Sequence, residues 1–422
     1  MTSSDCSLDP AALTALRDEP LDWRFKAIPP ALWGLSLGQA AKQRLHLFDD
    51  GFVAPVVVLE ADALEHNLRT MADWCAGHGV RLAPHGKTTM APQLFARQLE
   101  LGAWGMTAAN ASQLRVYRAF GVSRVLLANQ LVDAAALRWL AAELERDPGF
   151  EFSCWVDSVR SVELMTEALA GAKRPVDVLV ELGGDGGRTG ARDEATALAI
   201  AEAVRESPSL RLIGVSGYEG ALAHDSSTHS RQIVAAYLRR LKALTITLAE
   251  RGFFDGTIVV TAGGSAYFDL VADELTGWPD GLDVVPVLRS GAYVTHDDGF
   301  YRSISPLHDR FRSALRAWAQ VTSKPTDDLA LLTLGKRDAS FDEGLPEPQF
   351  LRHDGKTEPL DGHAITAMND QHSFLSLPAG SPVRVGDWIG LGLSHPCTVF
   401  DKWQLIPVVD GETVVDLVRT YF

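Results

Sequence analysis

Lys87 sits in Val80-Arg81-Leu82-Ala83-Pro84-His85-Gly86-Lys87-Thr88-Thr89, where a short apolar run ends in a turn punctuated by proline and glycine. A surface lysine ordinarily lies among polar residues and keeps its ammonium in water. A lysine that leaves a predicted strand beside His85, with Gly86 making room, is placed to be desolvated, to lose its proton and to attack a carbonyl. Loop lysines after strands are also common, so the local pattern alone leaves both readings open. Other polar residues fall on glycine-punctuated turns, in Glu181-Leu-Gly-Gly-Asp-Gly-Gly-Arg188-Thr-Gly190, Ser216-Gly217-Tyr218-Glu219-Gly220, Thr261-Ala-Gly263-Gly264-Ser265 and Arg289-Ser-Gly291-Ala-Tyr293. Gly263, Gly264 and Ser265 offer backbone N–H groups and a hydroxyl to a phosphate, with Ala266–Leu270 as a following helix N-terminus. Arg188 suits a phenolate or carboxylate, and Tyr218 is either a satisfied core tyrosine or a wall against a cofactor ring. Each signal alone is ordinary; a Gly-Gly-Ser is usually just a turn. A lysine, a phosphate cradle and an anion-binding arginine together suggest pyridoxal phosphate held as a Schiff base on Lys87, with His85 alongside. Near the C-terminal end, His395 and Cys397 lie two residues apart. In an extended segment their side chains point the same way and can share a metal, although a buried structural cysteine is the plainer local reading.

The elements that must position these residues alternate. Short β-rich runs are expected at Val80–Ala83, Trp104–Thr107, Arg124–Ala128, Phe152–Val156, Asp177–Glu181, Leu212–Ser216, Thr257–Thr261 and Asp283–Leu288. Between them, Ala91–Leu101, Ala134–Arg146, Ser161–Ala170, Glu194–Arg205 and Ser230–Arg251 have helical spacing and good helix formers. This alternation predicts a (β/α)8 TIM barrel in preference to a doubly wound open sheet. The chemically suggestive turns then all fall at the C-terminal ends of strands, where barrels build their sites. An earlier strand, Pro55–Leu59, is surplus to the barrel. After about Ser290 the texture changes to short strand-like runs at Val321–Ser323, Leu329–Leu334, Ala364–Met368, Phe374–Leu377, Trp388–Leu391 and Val414–Leu417, with helical periodicity only around Arg310–Arg316. A smaller C-terminal β domain follows from this, giving an N-terminal segment (1–50), a barrel (51–290) and a β domain (291–422) that the surplus strand is expected to join.

Composition bounds the partners. The 422 residues carry a formal charge of −15 and no Lys/Arg-rich block, which argues against nucleic acid or an anionic membrane. Four scattered cysteines, Cys6, Cys75, Cys154 and Cys397, form no disulfide framework and read as a reducing compartment. The first ten residues lack a basic region and an apolar core, and no apolar run is long enough for a bilayer, so a cytoplasmic location is expected.

The segment Arg81–Met90 resembles the cofactor-lysine motif of fold-type III pyridoxal-phosphate enzymes, and more narrowly the D-serine dehydratase and D-threonine aldolase branch. The resemblance extends through Ala54–Leu68, the run ending in Arg188, Ser216–Gly220, Gly263–Ser265 and Arg289–Tyr293 to Leu393-Ser394-His395-Pro396-Cys397-Thr398-Val399-Phe400-Asp401-Lys402-Trp403. It covers most of residues 50–410. It implies an alanine racemase-like barrel plus β domain, Lys87 as the cofactor lysine, and a homodimer whose second subunit often contributes to each site. It also implies zinc on His395 and Cys397, because the dehydratases resemble this His-x-Cys pair whereas the aldolases tend to carry His-x-Asp with a harder ion. Thiolate selects zinc, so Cys397 is the residue that separates the branches. Asn369-Asp370-Gln371-His372 departs from the acidic-acidic-His pattern of relatives. The expected reaction is β-elimination from a D-β-hydroxy amino acid, most simply D-serine to pyruvate and ammonia. The rivals are D-threonine-type aldol cleavage, racemisation with Tyr293 as a conceivable second base, and a non-catalytic pyridoxal-phosphate carrier.

Overall fold

The computed structural model describes residues 6–422. Strand β1 (Val56–Glu60) precedes eight parallel strands: β2 (Arg81–Leu82), β3 (Met106–Ala108), β4 (Arg124–Gln130), β5 (Glu151–Val156), β6 (Val176–Leu182), β7 (Leu210–Gly217), β8 (Ile258–Ala262) and β9 (Val284–Leu288). Neighbours in this sheet are neighbours in sequence, except that β9 returns to pair with β2. The remaining edges also meet. Trp104 N–H donates to Leu82 O at 2.7 Å, Thr107 N–H to Pro84 O at 2.9 Å, and His85 bridges Thr107 in parallel. A doubly wound sheet would reverse its strand order and keep two free edges. The sheet therefore curls into the expected (β/α)8 barrel.

Its lumen is packed rather than hollow. Ala83, just after β2, and Leu126, Trp155, Leu179, Ile213, Val259 and Val287, on β4 to β9, form one buried cluster inside the ring. The outer helices follow from apolar spacing and capping residues. In Ala134–Arg146 the buried Ala136, Leu137, Leu140 and Leu144 share one face, and Asp133 accepts from Ala136 N–H at the N-terminus. Thr228–Glu250 is capped by Ser227 and buries Val234, Leu238, Leu241 and Leu248. Among the described residues no helix is long and apolar enough to cross a membrane.

The C-terminal sheet is built from β10 (Leu315–Thr326), β11 (Leu329–Leu332), β12 (Glu347–His353), β13 (Lys356–Pro359), β14 (Ala364–Met368), β15 (Ser373–Ser376), β16 (Trp388–Gly392), β17 (Leu405–Asp410) and β18 (Thr413–Arg419). Strand β1 lies inside it, antiparallel to β10 with Val57 opposite Ala317, and parallel to β17 with Leu59 opposite Val408. Its Val-Val-Val-Leu is fully buried and belongs to this layer, which ties the chain before the barrel to the chain after it.

The helical expectation at Arg310–Arg316 is wrong. The short helix there is Phe300–Ile304, and the chain then turns and enters β10 at Leu315. Ala314 N–H donates to Thr295 O, and Leu315 pairs with Leu59, so cross-strand pairing overrides the local spacing. Three strands carried no usable signal. Strand β13 is exposed at all its positions, β12 mixes polar residues into its buried face, and Pro407 interrupts the apolar run of β17.

Candidate active site

Strand β2 ends at Leu82, and Pro84-His85 lead into a single 3-10 turn, Gly86–Thr88, that carries Lys87 into the C-terminal mouth of the barrel. The turn is seated by close contact. Gly291, at the end of β9, has no room for a side chain, since a Cβ there would stand 2.6 Å from His85 O and 2.8 Å from Thr88 Oγ1. The Lys87 side chain opens toward solvent at the mouth, yet the surrounding protein desolvates its amine. Desolvation holds it below the usual lysine range; Arg188 and Arg289 push the same way, and Cys397 opposes them. A lysine so placed has a larger neutral fraction near pH 7 than one in water.

The other expected residues converge on the same mouth. The Arg188 guanidinium lies 4.8 Å from the Tyr218 ring centre. Burial raises the Tyr218 phenol first, then Glu219, while Arg188 and Arg289 lower it and Cys397 adds a smaller upward push. The Cys397 thiol donates to Thr88 Oγ1 at 3.3 Å, next to Lys87 in the chain. His85 Nδ1 is buried without a partner, and so is Ser216 Oγ at the end of β7. Unpaired buried polar atoms at a polar mouth are what a polar ligand would satisfy. Desolvation, reinforced by the charges of Lys87, Arg289 and Arg188, holds His85 well below its ordinary value and favours the neutral ring.

The phosphate cradle differs from expectation in detail. Gly263 N–H and Gly264 N–H donate to the carboxylate of Glu219 at 2.9 and 2.8 Å, and Glu219 is fully buried. Gly263 has φ +99°, the left-handed region that lets two successive N–H groups face one anion. An anion already stands there, so a bound phosphate must either displace Glu219 or rely on Ser265. Ser265 Oγ accepts from Ala292 N–H at 3.3 Å, which brings the turns after β8 and β9 together. The following helix is Phe268–Glu274, later than the expected start at Ala266. Beneath the mouth, Arg289 is buried and donates to Thr261 Oγ1 at 2.6 Å and Gly217 O at 2.7 Å.

The segment carrying His395 and Cys397 is not extended. His395 adopts φ +51°, Pro396 is helical, and Cys397 starts the short helix Cys397–Phe400. The turn still brings the two side chains within hydrogen-bonding reach, and that contact is the main cause lifting His395 to about 9. Asp342 adds to the rise, accepting from His395 Nδ1–H at 2.6 Å. A histidine nitrogen and a thiolate sulfur suit zinc in kind. Among the described residues no three His, Cys, Asp or Glu side chains converge as a metal cage, so these two donors would leave the remaining positions to water and substrate.

Tyr293 and the segment Asn369–His372 lie elsewhere. The Tyr293 hydroxyl accepts from Gln98 Nε2 at 3.0 Å and, with Leu68 and Cys75, lines a separate cleft of about 200 Å³. Burial raises its phenol. The Tyr293 hydroxyl therefore turns toward Gln98 and this cleft. Asn369–His372 forms the turn between β14 and β15, where Gln371 Nε2 donates to Asp338 Oδ2 at 2.9 Å. It braces the loop that leads to Asp342 and does not reach His395 directly.

Glu219 and Arg289 stand in the turns singled out in the sequence but without a role of their own, whereas Asp297, Tyr301 and Asp342 were passed over. The run Thr295-His-Asp-Asp-Gly-Phe-Tyr301, just beyond the 3-10 turn that follows β9, was a readable signal, because it belongs to the loop leaving a barrel strand. Asp342 lies in the long connection between β11 and β12 and gave none.

Comparison with known proteins fits this geometry. Residues 59–278 match the alanine racemase N-terminal domain, and residues 314–409 match a putative serine dehydratase domain. D-threonine aldolase of Arthrobacter sp is 30% identical over 365 residues, covering 86% of this chain and 90% of that protein. The chain belongs to the fold-type III pyridoxal-phosphate enzymes, in the D-serine dehydratase and D-threonine aldolase family. The crystal structure of D-threonine aldolase from Filomicrobium marinum superposes with a TM-score of 0.76 at 27% identity, covering 88% of this chain and 95% of that one. D-threo-3-hydroxyaspartate dehydratase of Delftia sp. is 28% identical over 246 residues, 58% of this chain and 61% of that protein. Family members thus include both an aldolase and a dehydratase.

Proposed function

We propose that this protein is a pyridoxal-phosphate-dependent lyase of D-β-hydroxy amino acids, and that it eliminates water from D-serine to give pyruvate and ammonia, with zinc held by His395 and Cys397. The observation that carries the reading is the meeting of two domains at one point. Cys397, from the C-terminal domain, reaches Thr88, whose neighbour Lys87 comes from the barrel. When bound, pyridoxal phosphate supplies an electron sink for the Cα carbanion and zinc a Lewis acid for a poor leaving group.

This chain's residues divide the remaining work. Lys87, desolvated and flanked by Arg188 and Arg289, is the amine suited to hold the cofactor and, once released, to take the Cα proton. Arg188, stacked over Tyr218, is placed for the cofactor's anionic edge, with His85 and Ser265 nearby as polar partners. His395 and Cys397 set where the departing hydroxide is received. The proton leaves Cα and hydroxide leaves Cβ. The resulting enamine tautomerises and hydrolyses, and the sum is pyruvate plus ammonia. A homodimer and a cytoplasmic location belong to the same proposal.

Aldol cleavage is the second reading, favoured by the 30% identity to D-threonine aldolase. It shares every part except the bond that breaks, and Cys397 is the feature that argues for elimination. Purified protein incubated with D-serine, L-serine and D-threonine, with products followed with and without a chelator, decides between them. Chelator-sensitive pyruvate from D-serine supports the proposal. Glycine from D-threonine refutes it in favour of aldol cleavage, and pyruvate insensitive to chelator removes the metal from it. Pyridoxal-phosphate absorbance without turnover of any D-amino acid would indicate a carrier.

A further inference from the structure

We propose that Asp342 is the positioning residue of the metal site, gripping the His395 imidazole so that a pair of protein donors is enough to hold the ion. The inference rests on the reading of His395 and Cys397 as metal ligands.

Eight hydrogen bonds support it. His395 Nδ1–H donates to Asp342 Oδ2 at 2.6 Å, which leaves Nε2 as the ring nitrogen for an ion. The other oxygen, Asp342 Oδ1, accepts from Thr398 Oγ1 at 2.9 Å, so the carboxylate is itself fixed by the turn it grips. The main chain of His395 is held separately. Its N–H donates to Asp297 Oδ2 at 3.1 Å, while Asp297 Oδ1 accepts from Gly299, Tyr301 and Arg302 N–H at 3.0, 2.8 and 3.2 Å. The Asp342 loop is stitched to the same turn on both sides, by Ser340 Oγ to Ser394 O and by Ser394 Oγ to Glu343 O at 2.7 Å.

These contacts have a clear chemical consequence. A carboxylate on Nδ1 fixes the tautomer, leaves the Nε2 lone pair for the metal and makes it more basic. A residue at φ +51° holds that conformation only where its surroundings over-determine it, and Asp297 does so here. With two protein donors in place of the three usual at a catalytic zinc, pre-orientation carries more of the affinity.

The test uses the pyridoxal-phosphate-loaded protein, stripped of metal and titrated with zinc against a chromophoric chelator. Asp342→Asn is expected to bind zinc about 10–100-fold more weakly. Its cofactor absorbance and metal-free melting temperature should match wild type, and Asp342→Glu should recover part of the affinity. Unchanged zinc affinity in Asp342→Asn, with wild type binding the ion, overturns the role of Asp342 alone. Loss of cofactor absorbance and melting temperature together with affinity would mark a structural residue and also overturn it. Absence of zinc binding by wild type and by His395→Ala alike removes the metal reading itself, and this inference with it.

Discussion

Adding one methyl group at Gly291 should disable the site without emptying it. A Cβ there would lie 2.6 Å from His85 O, 2.8 Å from Thr88 Oγ1 and 3.0 Å from His85 Cβ. The first neighbour is backbone and cannot rotate away, so relief to an ordinary contact requires the Lys87 turn to move by roughly half an ångström or more. Overpacking of this kind costs about 1–3 kcal/mol. A displacement approaching 1 Å at a reacting group costs on the order of 100-fold in rate. Gly291→Ala should therefore lower kcat/KM with D-serine by about 10–100-fold while the protein still takes up pyridoxal phosphate, read by absorbance titration beside steady-state kinetics. Gly77→Ala is the control. Gly77 lies in the helix Ala61–Gly77 with nothing within 4 Å of its Cβ position, so alanine there should leave kinetics unchanged. Wild-type kinetics in Gly291→Ala would refute the claim that the end of β9 seats the lysine.

Other perturbations follow from the same geometry. Lys87→Ala should abolish the lysine-linked cofactor absorbance and turnover together; retained turnover would contradict its role. Cys397→Asp should lose zinc-dependent elimination, and full activity there would make the thiolate incidental. His296 is 4% exposed, its Nε2 has no partner, and desolvation lowers it to about 4. A histidine held neutral by folding contributes stability that is fully present above pH about 6.5 and is lost as pH falls toward 4, worth about 3 kcal/mol. His296→Gln should flatten that acid limb in urea melts taken between pH 4 and 7, and an unchanged limb would count against it.

Much of the architecture was legible because the barrel repeats one physical motif. Each buried parallel strand is a dense apolar run, each outer helix has one apolar face, and the alternation survives small errors at the ends. The turns at strand ends were legible for the same reason, since glycine and polar residues interrupt an otherwise apolar text. What stayed hidden depends on contacts between distant segments. Asp342 is significant only because it meets His395, 53 residues away. Glu219 is visible as a carboxylate but not as the group that occupies the N–H pair of Gly263 and Gly264. The His395–Cys397 pair was read from its spacing in an extended segment, yet its side chains are brought together by a left-handed turn held by Asp297.

The account stands on Lys87 as the residue that carries the cofactor. Borohydride reduction of the pyridoxal-phosphate-loaded protein, followed by proteolysis and mass spectrometry, reads that bond directly. The pyridoxyl mass should appear on Lys87 and nowhere else. Its appearance on any other lysine, or no modification under conditions where the cofactor absorbance is present, would contradict the account.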